Sequence, residues 1–221
     1  MHSGDGASQS PVQTMSDLTV VIPAYNEEAT IMDVVNVAKH FAPVIVVSDG
    51  STDQTAARAR EAGATVIELN PNQGKSQAFY EGVKAASTRL VVSLDADLVG
   101  LTVEHLKLMS DPVVAGTYDM TIGVFQGGGV LTDFGNRATP YLSGQRVFHR
   151  DWMLSVPRLT EERWPEPAIT EHLNKSGIRW EYVSLPKVRQ VMKEQKRGLL
   201  EGVKHRVKMY KSILDFQTRK K

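Results

Sequence analysis

The chain has 221 residues, 41% of them hydrophobic and 7% aromatic, the make-up of one ordinary globular domain with its own core. It has no cysteine, which excludes disulfides, thiolate metal sites and cysteine nucleophiles. No apolar run approaches the ~18–20 residues of a membrane-spanning helix. The formal net charge of +1 conceals a division, because Pro186–Lys221 holds 12 Lys and Arg against 3 acids while the rest is acidic. Such a basic end suits an anionic partner, or simply a solvated helix face.

Residues 1–16 are small and polar, without the basic start or apolar stretch of a signal peptide, and are expected to form a flexible tail. Four β-branched runs follow, at Leu18–Ile22, Val44–Val47, Ala64–Leu69 and Leu90–Leu94. Their nearly continuous apolar character is that of parallel strands covered on both faces. Between them, Ile31, Val34, Val35 and Ala38 fall on one helical stripe, and Ser51 or Thr52 is placed to cap a helix carrying Ala56, Ala57 and Ala59. Phe79, Val83 and Ala86 mark a third helix, in which Gly82 would permit close packing. The alternation predicts an α/β fold: a mostly parallel sheet flanked by helices, binding its ligand beyond the carboxyl ends of the strands.

The second half is less regular. Val113–Phe125 reads as one or two strands, Gln126–Gly129 as a break, Ala168–Lys175 as a helix and Ile178–Leu185 as a strand. A last helix over Leu199–Phe216 sets Leu200, Val203, Val207, Tyr210 and Leu214 on one stripe, with Lys204, Arg206, Lys208 and Lys211 elsewhere. The organisation expected is therefore a tail at 1–16, a catalytic domain at 17–198 and a basic C-terminal amphipathic helix and tail at 199–221. That helix can dock on its own domain, join a second subunit in a homo-oligomer, or lie on an anionic membrane surface.

The loops after the four strands carry the chemistry. The first, Pro23-Ala24-Tyr25-Asn26-Glu27-Glu28, ends a strand at proline and presents an aromatic ring among polar groups. The second, Ser48-Asp49-Gly50-Ser51-Thr52-Asp53, puts a carboxylate at a strand tip, able to accept from a nucleobase imide. In the third, Asn72-Gln73-Gly74-Lys75-Ser76, a lysine beside a helix N-terminus can meet a diphosphate. The fourth, Leu94-Asp95-Ala96-Asp97, spaces two hard carboxylates so that extended backbone would aim both at one spot, as Mg²⁺ or Mn²⁺ requires.

In order and spacing these four loops resemble the family-2 glycosyltransferases of the GT-A fold. The resemblance covers roughly residues 17–110. It implies metal-dependent, inverting transfer of a sugar from a nucleotide-diphosphate donor to a sugar, small-molecule or lipid-phosphate acceptor. By position, Pro23, Tyr25 and Glu27 would contact the nucleoside, Asp49 would read the base and Lys75 would assist at the diphosphate. Asp95 would lie near the ribose or the metal, and Asp97 would ligate Mg²⁺ or Mn²⁺.

On the acceptor side, Ile169-Thr170-Glu171-His172 is similar to the family's acidic pair, with histidine in place of the second acid. Glu171 is then a candidate base and His172 an alternative. Leu142–Arg150 resembles a segment of polyprenyl-phosphate sugar synthases, in which Gln145, Arg146 and Arg150 would grip the acceptor or its phosphate; Arg146 and Arg150, four apart, would share a helix face or line a loop. These readings set the protein in the cytoplasm, at the membrane face if the acceptor is a lipid phosphate, with no nucleic-acid partner. A non-catalytic nucleotide-sugar binder is the alternative from another class.

Overall fold

The computed structural model describes residues 17–126 and 143–191. The expected tail at 1–16, the glycines at 127–129 and the basic helix at 199–221 lie outside the described residues. The first half runs β1 (Leu18–Ala24), α1 (Ile31–Ala38), β2 (Val44–Asp49), α2 (Thr55–Glu61), β3 (Thr65–Leu69), α3 (Lys75–Ala85) and β4 (Leu90–Ser93). There follow β5 (Leu98–Val99), α4 (Val103–Val114), β6 (Met120–Gln126), β7 (Arg146–His149) and α5 (Arg150–Leu154). The described chain closes with α6 (Glu166–Ser176), β8 (Trp180–Pro186) and β9 (Arg189–Gln190).

Seven strands form one sheet in the order β3-β2-β1-β4-β7-β6-β8, and β5 pairs with β9 beside it. Strands β3, β2, β1 and β4 are parallel; β7 runs against both β4 and β6, and β8 is again parallel to β6. From β1 the chain builds outward through β2 to β3, then returns to lay β4 on the other side of β1. That reversal opens a crevice at the carboxyl ends of β1 and β4, where such sheets take their ligands.

The pleat divides the core into two layers. Leu18, Val20, Ile22 and Ala24 of β1 and Leu90, Val92 and Leu94 at β4 pack with α1, α2 and α4, through Val34, Val35, Ala59, Leu106 and Met109. Val21 and Val91 point the other way, toward Phe79 and Val83 of α3, Met153 of α5 and Ile169 and Leu173 of α6.

β1 does not stop at its proline: Pro23 pairs in register with Val47 and the strand runs to Ala24. Val21 faces β4, its carbonyl accepting from the N–H of Leu94 at 3.0 Å. Pro23, two residues on, faces the same way, and the β1–β4 register ends at Val21↔Ser93. The missing N–H therefore falls where no ladder bond was due. β3 is covered less fully than expected, with Thr65 and Glu68 exposed, because it forms the sheet's edge.

Two other readings change. Residues 113–119 are not strand: Val113 closes a helical stripe with Leu106, Met109 and Ser110 on α4, and β6 begins only at Met120. The N-cap of α2 is Gln54 rather than Ser51 or Thr52, and the Asp53 carboxylate just before it accepts from the N–H of Thr55 at 3.0 Å. Burial alone would raise the Asp53 carboxyl, but donations from the Thr55 hydroxyl and from the N–H groups of Thr55 and Glu28 hold it below the usual range.

Gly82 has the role expected of it, since a Cβ there would stand 2.4 Å from Val21 Cγ1 and 3.1 Å from Val47 Cγ2. α3 lies against β1 and β2 only because that position is bare. Gly82→Ala should lower stability by about 1–3 kcal/mol, overpacking outweighing the gain in helix propensity. Urea unfolding measures this, and an unchanged or higher midpoint would contradict the packing described.

Candidate functional site

The first two strand tips are tied together by short polar bonds. Asn26, at φ 54°, donates its N–H to Ser51 Oγ (3.2 Å) and accepts the N–H of Thr52 on Oδ1 (2.9 Å). The Glu27 N–H donates to Thr55 Oγ1 at 2.7 Å, and the Glu28 carboxylate accepts from the N–H of Gln54 at 3.0 Å. The loop after β1 is thus set by the loop after β2, leaving the Tyr25 ring at the rim, 36% exposed.

The second tip fixes the third in turn. Asp49 is buried, and its carboxylate accepts from Asn72 and from the N–H groups of Gln73 and Gly74. Gly74, at φ 97°, is the N-cap of α3, and Lys75 opens the helix. The Lys75 ammonium reaches across to Asp95 Oδ1 at 2.8 Å and Glu166 Oε1 at 2.7 Å. Burial by itself would push this lysine down, but the negative charges of Asp95 and Glu166 outweigh it and hold Lys75 well above the ordinary lysine range.

Asp95 is the meeting point. Beyond Lys75, its Oδ2 accepts from Gln145 Nε2 at 2.7 Å and Gln190 Nε2 at 2.6 Å. Gln145 is fully buried and oriented by Ser143, whose hydroxyl donates to its Oε1 at 2.8 Å. Gly144 gives the carboxylate room, for a Cβ there would lie 2.5 Å from Asp95 Oδ1. Beside this cluster Arg146 is buried, donating from Nε to the Ser143 carbonyl at 3.0 Å. Burial pushes Arg146 down to about 10, partly offset by the charges of Glu166, Tyr182 and Asp95.

Asp97 also lies buried here, its backbone carbonyl accepting from the N–H of Val191 at 2.9 Å. The route differs from the expected strand alternation: β4 ends at Ser93, and Asp97 sits in the turn leading to β5. A turn, not a pleat, brings the second carboxylate inward.

Several expected residues meet in this cluster and others do not. Asp95, Lys75, Gln145 and Arg146 gather at the crevice, Asp97 lies buried in the turn two residues after Asp95, and Asp49 and Glu27 are buried in the neighbouring loops. Pro23 is buried within β1 and shapes the strand tip. Arg146 and Arg150 do not share a helix face, since one opens β7 and the other opens α5. Arg150 donates to the carbonyls of Val83 (3.2 Å) and Lys84 (2.9 Å), closing the end of α3. Glu171 pairs with Lys175 at 2.5 Å, and the His172 ring lies 5.0 Å from that of Trp152. The acid that α6 brings to the cluster is Glu166, at the start of the helix.

Sequence reading missed Glu166 and Gln190. Proline on either side of Glu166 is a helix-start signal that could have moved the N-terminus of α6 back to it. Nothing local marks Gln190, whose place comes from β9 pairing with β5.

The chemistry of these donors fits a hard divalent cation. Asp97 and Asp95 would be its carboxylate ligands, Asp95 sharing the Lys75 ammonium with Glu166. Among the described residues no group of three or more His, Cys, Asp and Glu side chains forms a metal site. A cation here would draw most of its oxygen shell from a diphosphate and water, the habit of Mg²⁺ bound through one or two carboxylates.

Comparison with known proteins agrees with the fold. The family model "Glycosyl transferase family 2" matches residues 19–178. Glucosyl-3-phosphoglycerate synthase from Mycobacterium tuberculosis, in complex with phosphoglyceric acid, superposes with a TM-score of 0.71 at 22% identity, over 94% of this chain and 85% of that one. The same enzyme in complex with Mn²⁺ and UDP-glucose gives 0.64 at 24% identity, over 80% and 71%. At these identities the likeness shows the fold, the GT-A arrangement expected from the sequence. The 4,4'-diaponeurosporenoate glycosyltransferase of Staphylococcus aureus is 42% identical over 92 residues, 38% of this chain and 24% of that protein. The match thus spans about a quarter of that relative's length.

Lys75→Met should leave Asp95 and Glu166 facing each other without their shared cation. The expected loss is about 2 kcal/mol, below the ~3–5 of a fully buried pair because the Lys75 side chain stays 29% exposed. Thermal or urea unfolding reads it, and a variant as stable as the parent would show that the bridge contributes little.

Proposed function

The chain belongs to glycosyl transferase family 2, and on that premise we propose that it moves a sugar from a nucleoside-diphosphate donor, with Mg²⁺ or Mn²⁺, to an acceptor held on the α6 side of the crevice. The observation that carries this reading is the convergence of Asp95, Lys75 and Glu166 at the carboxyl ends of the central strands, with Asp97 buried two residues after Asp95. The M. tuberculosis enzyme, whose sheet this chain shares, is bound to UDP-glucose and Mn²⁺ in one structure, which supports the donor and metal classes.

Each residue then has a task. Tyr25, exposed at the rim, offers a face for the nucleoside, and Glu27 and Asn26 hold the loop that carries it. Asp97, with Asp95 beside it, would hold the cation. When bound, that cation neutralises charge growing on the leaving diphosphate. Lys75 adds positive charge at the same place. Attack on the anomeric carbon from the face opposite the diphosphate inverts its configuration.

A hydroxyl acceptor would pass its proton to a carboxylate, and Glu166 is better placed for this than Glu171 or His172. An acceptor phosphate is already ionised and needs no base. Phosphoglyceric acid, bound by the M. tuberculosis enzyme, supports a phosphorylated or otherwise anionic acceptor. An acceptor at the cytoplasmic membrane face is the finer form of this reading and rests on the basic sequence of residues 199–221. Among the described residues no helix is long and apolar enough to cross a membrane.

The experiment is a stability panel with UDP, GDP, CDP and dTDP sugars, each with and without Mn²⁺, on the parent and on Asp97→Ala. A donor at 100 times its dissociation constant should add about 2.7 kcal/mol in the parent. The variant should lose the Mn²⁺-dependent part together with metal-dependent transfer. Full metal-dependent activity in Asp97→Ala would overturn the assignment, and donor binding without any turnover in the parent would favour a non-catalytic binder.

A further inference from the structure

Among the described residues, the large apolar side chains that stand exposed are Tyr25, Leu108 and Tyr182. Leu108 belongs to α4, and Tyr25 stands at the rim on the donor side. Tyr182 has no task yet. It lies on β8, the edge strand at the far end of the sheet from β3, and is 36% exposed.

Strand register places it relative to the site. Ile122 of β6 pairs with Arg146 of β7 on one side and with Tyr182 of β8 on the other. Side chains of paired residues share a face of the sheet. Ile122 packs with Phe79, Ile169 and Leu173, so this is the face that α3 and α6 cover. The row therefore runs outward from Arg146, beside the Asp95 cluster, to Tyr182, on the same side as Glu166 at the start of α6. Trp180 shares that face two residues earlier and packs on the core. Its ring meets that of Tyr182 edge to face, centroids 5.0 Å apart at 81°, and braces it. Two strand spacings, about 10 Å, separate Tyr182 from Arg146.

One braced ring at a sheet edge suits a ligand with a small apolar face. A lipid chain would need a run of exposed apolar side chains, and Tyr25 and Leu108 lie on other elements. The next residue of β8 on this face is Ser184, half-buried and carrying a hydroxyl. A pyranose has the matching chemistry: C–H bonds on one face for the ring, and hydroxyls at its rim for polar neighbours.

We propose that Tyr182 is an acceptor-binding residue, its ring stacking on a sugar unit of an acceptor that has two or more such units. At about 10 Å from Arg146, the stacked unit is a neighbour of the one that meets the reaction centre. An anionic group and this sugar are compatible parts of one acceptor. The proposal rests on the reading above that places the acceptor on the α6 side, but the stacking itself needs no nucleotide.

The test uses saturation-transfer NMR from the aromatic protons, on the parent, Tyr182→Ala and Tyr182→Phe. The probes are methyl glucoside, galactoside and mannoside, the corresponding disaccharide glycosides, and farnesyl phosphate. Each is run with and without Mn²⁺ and the nucleotide that binds most tightly in the stability panel. In the parent at least one disaccharide should bind more tightly than its monosaccharide, with transfer to its C–H protons. Tyr182→Ala should weaken that disaccharide roughly tenfold and erase its advantage, whereas Tyr182→Phe keeps it. Nucleotide affinity, read by calorimetry, should be the same in all three. Should Tyr182→Ala fail to fold, Tyr182→Leu, apolar but without an aromatic face, decides by the same ratio.

Disaccharides that bind no better than monosaccharides, or equally well without the ring, overturn the proposal. So does a parent that binds no saccharide, or one in which only farnesyl phosphate depends on Tyr182. A parent that binds saccharides through Tyr182 but no nucleotide supports the proposal and refutes the donor reading instead.

Discussion

Asp95 draws together segments that the chain keeps far apart. Lys75 comes from the start of α3, Gln145 from the approach to β7, Gln190 from β9, and Glu166 joins through Lys75 from α6. Removing a carboxylate from water costs several kcal/mol unless charge and hydrogen bonds replace the solvent. At Asp95 the replacement is one ammonium and two amides, each from a different element. The first half of the fold is thereby fastened to the second at one side chain, and the crevice between β1 and β4 gains a wall it would otherwise lack.

The same knot explains how a mostly structural set of contacts becomes a site. Lys75, Glu166 and Arg146 bring alternating charge to the floor of the crevice, and Asp97 follows two residues after Asp95, buried in the turn that leads to β5. Rigid strands hold the tips, and bonds between neighbouring loops hold the residues that leave them. Asn26 bonds to Ser51 and Thr52, and Asp49 bonds to Asn72, Gln73 and Gly74, so each loop depends on its neighbour. Preorganisation of this kind is what electrostatic stabilisation of a leaving group needs, because little remains to be ordered when charge develops.

The strands of the first half were legible because both sheet faces are covered and the apolar runs are short and unbroken. The loops were legible because their polar residues follow directly on those runs. Strand alternation was the reason for reading Asp95 and Asp97 together, and Asp97 departs from it by sitting in the turn that leads to β5. α4 and Glu166 were harder. α4 mixes charged residues and Pro112 into its stripe, and Glu166 lies before the apolar periodicity of α6 begins. Glu171 and His172 were singled out by their likeness to the family's acidic pair, and a helix points successive residues about 100° apart, so that these two face Lys175 and Trp152. Gln190 was invisible in principle, because its meaning arises only from a two-stranded pairing across more than ninety residues of chain.

The most direct check on a single cation-bound donor at these strand tips is paramagnetic broadening of backbone amide signals by Mn²⁺, in the presence of the nucleoside diphosphate that binds most tightly. The account predicts that broadening centres on Asp95–Gly100 and spreads to Tyr25–Glu28, Gln73–Lys75 and Gln190, sparing the edge strand β3 and the outer face of α4. Broadening centred elsewhere, or no nucleotide-dependent broadening near Asp97, would contradict it.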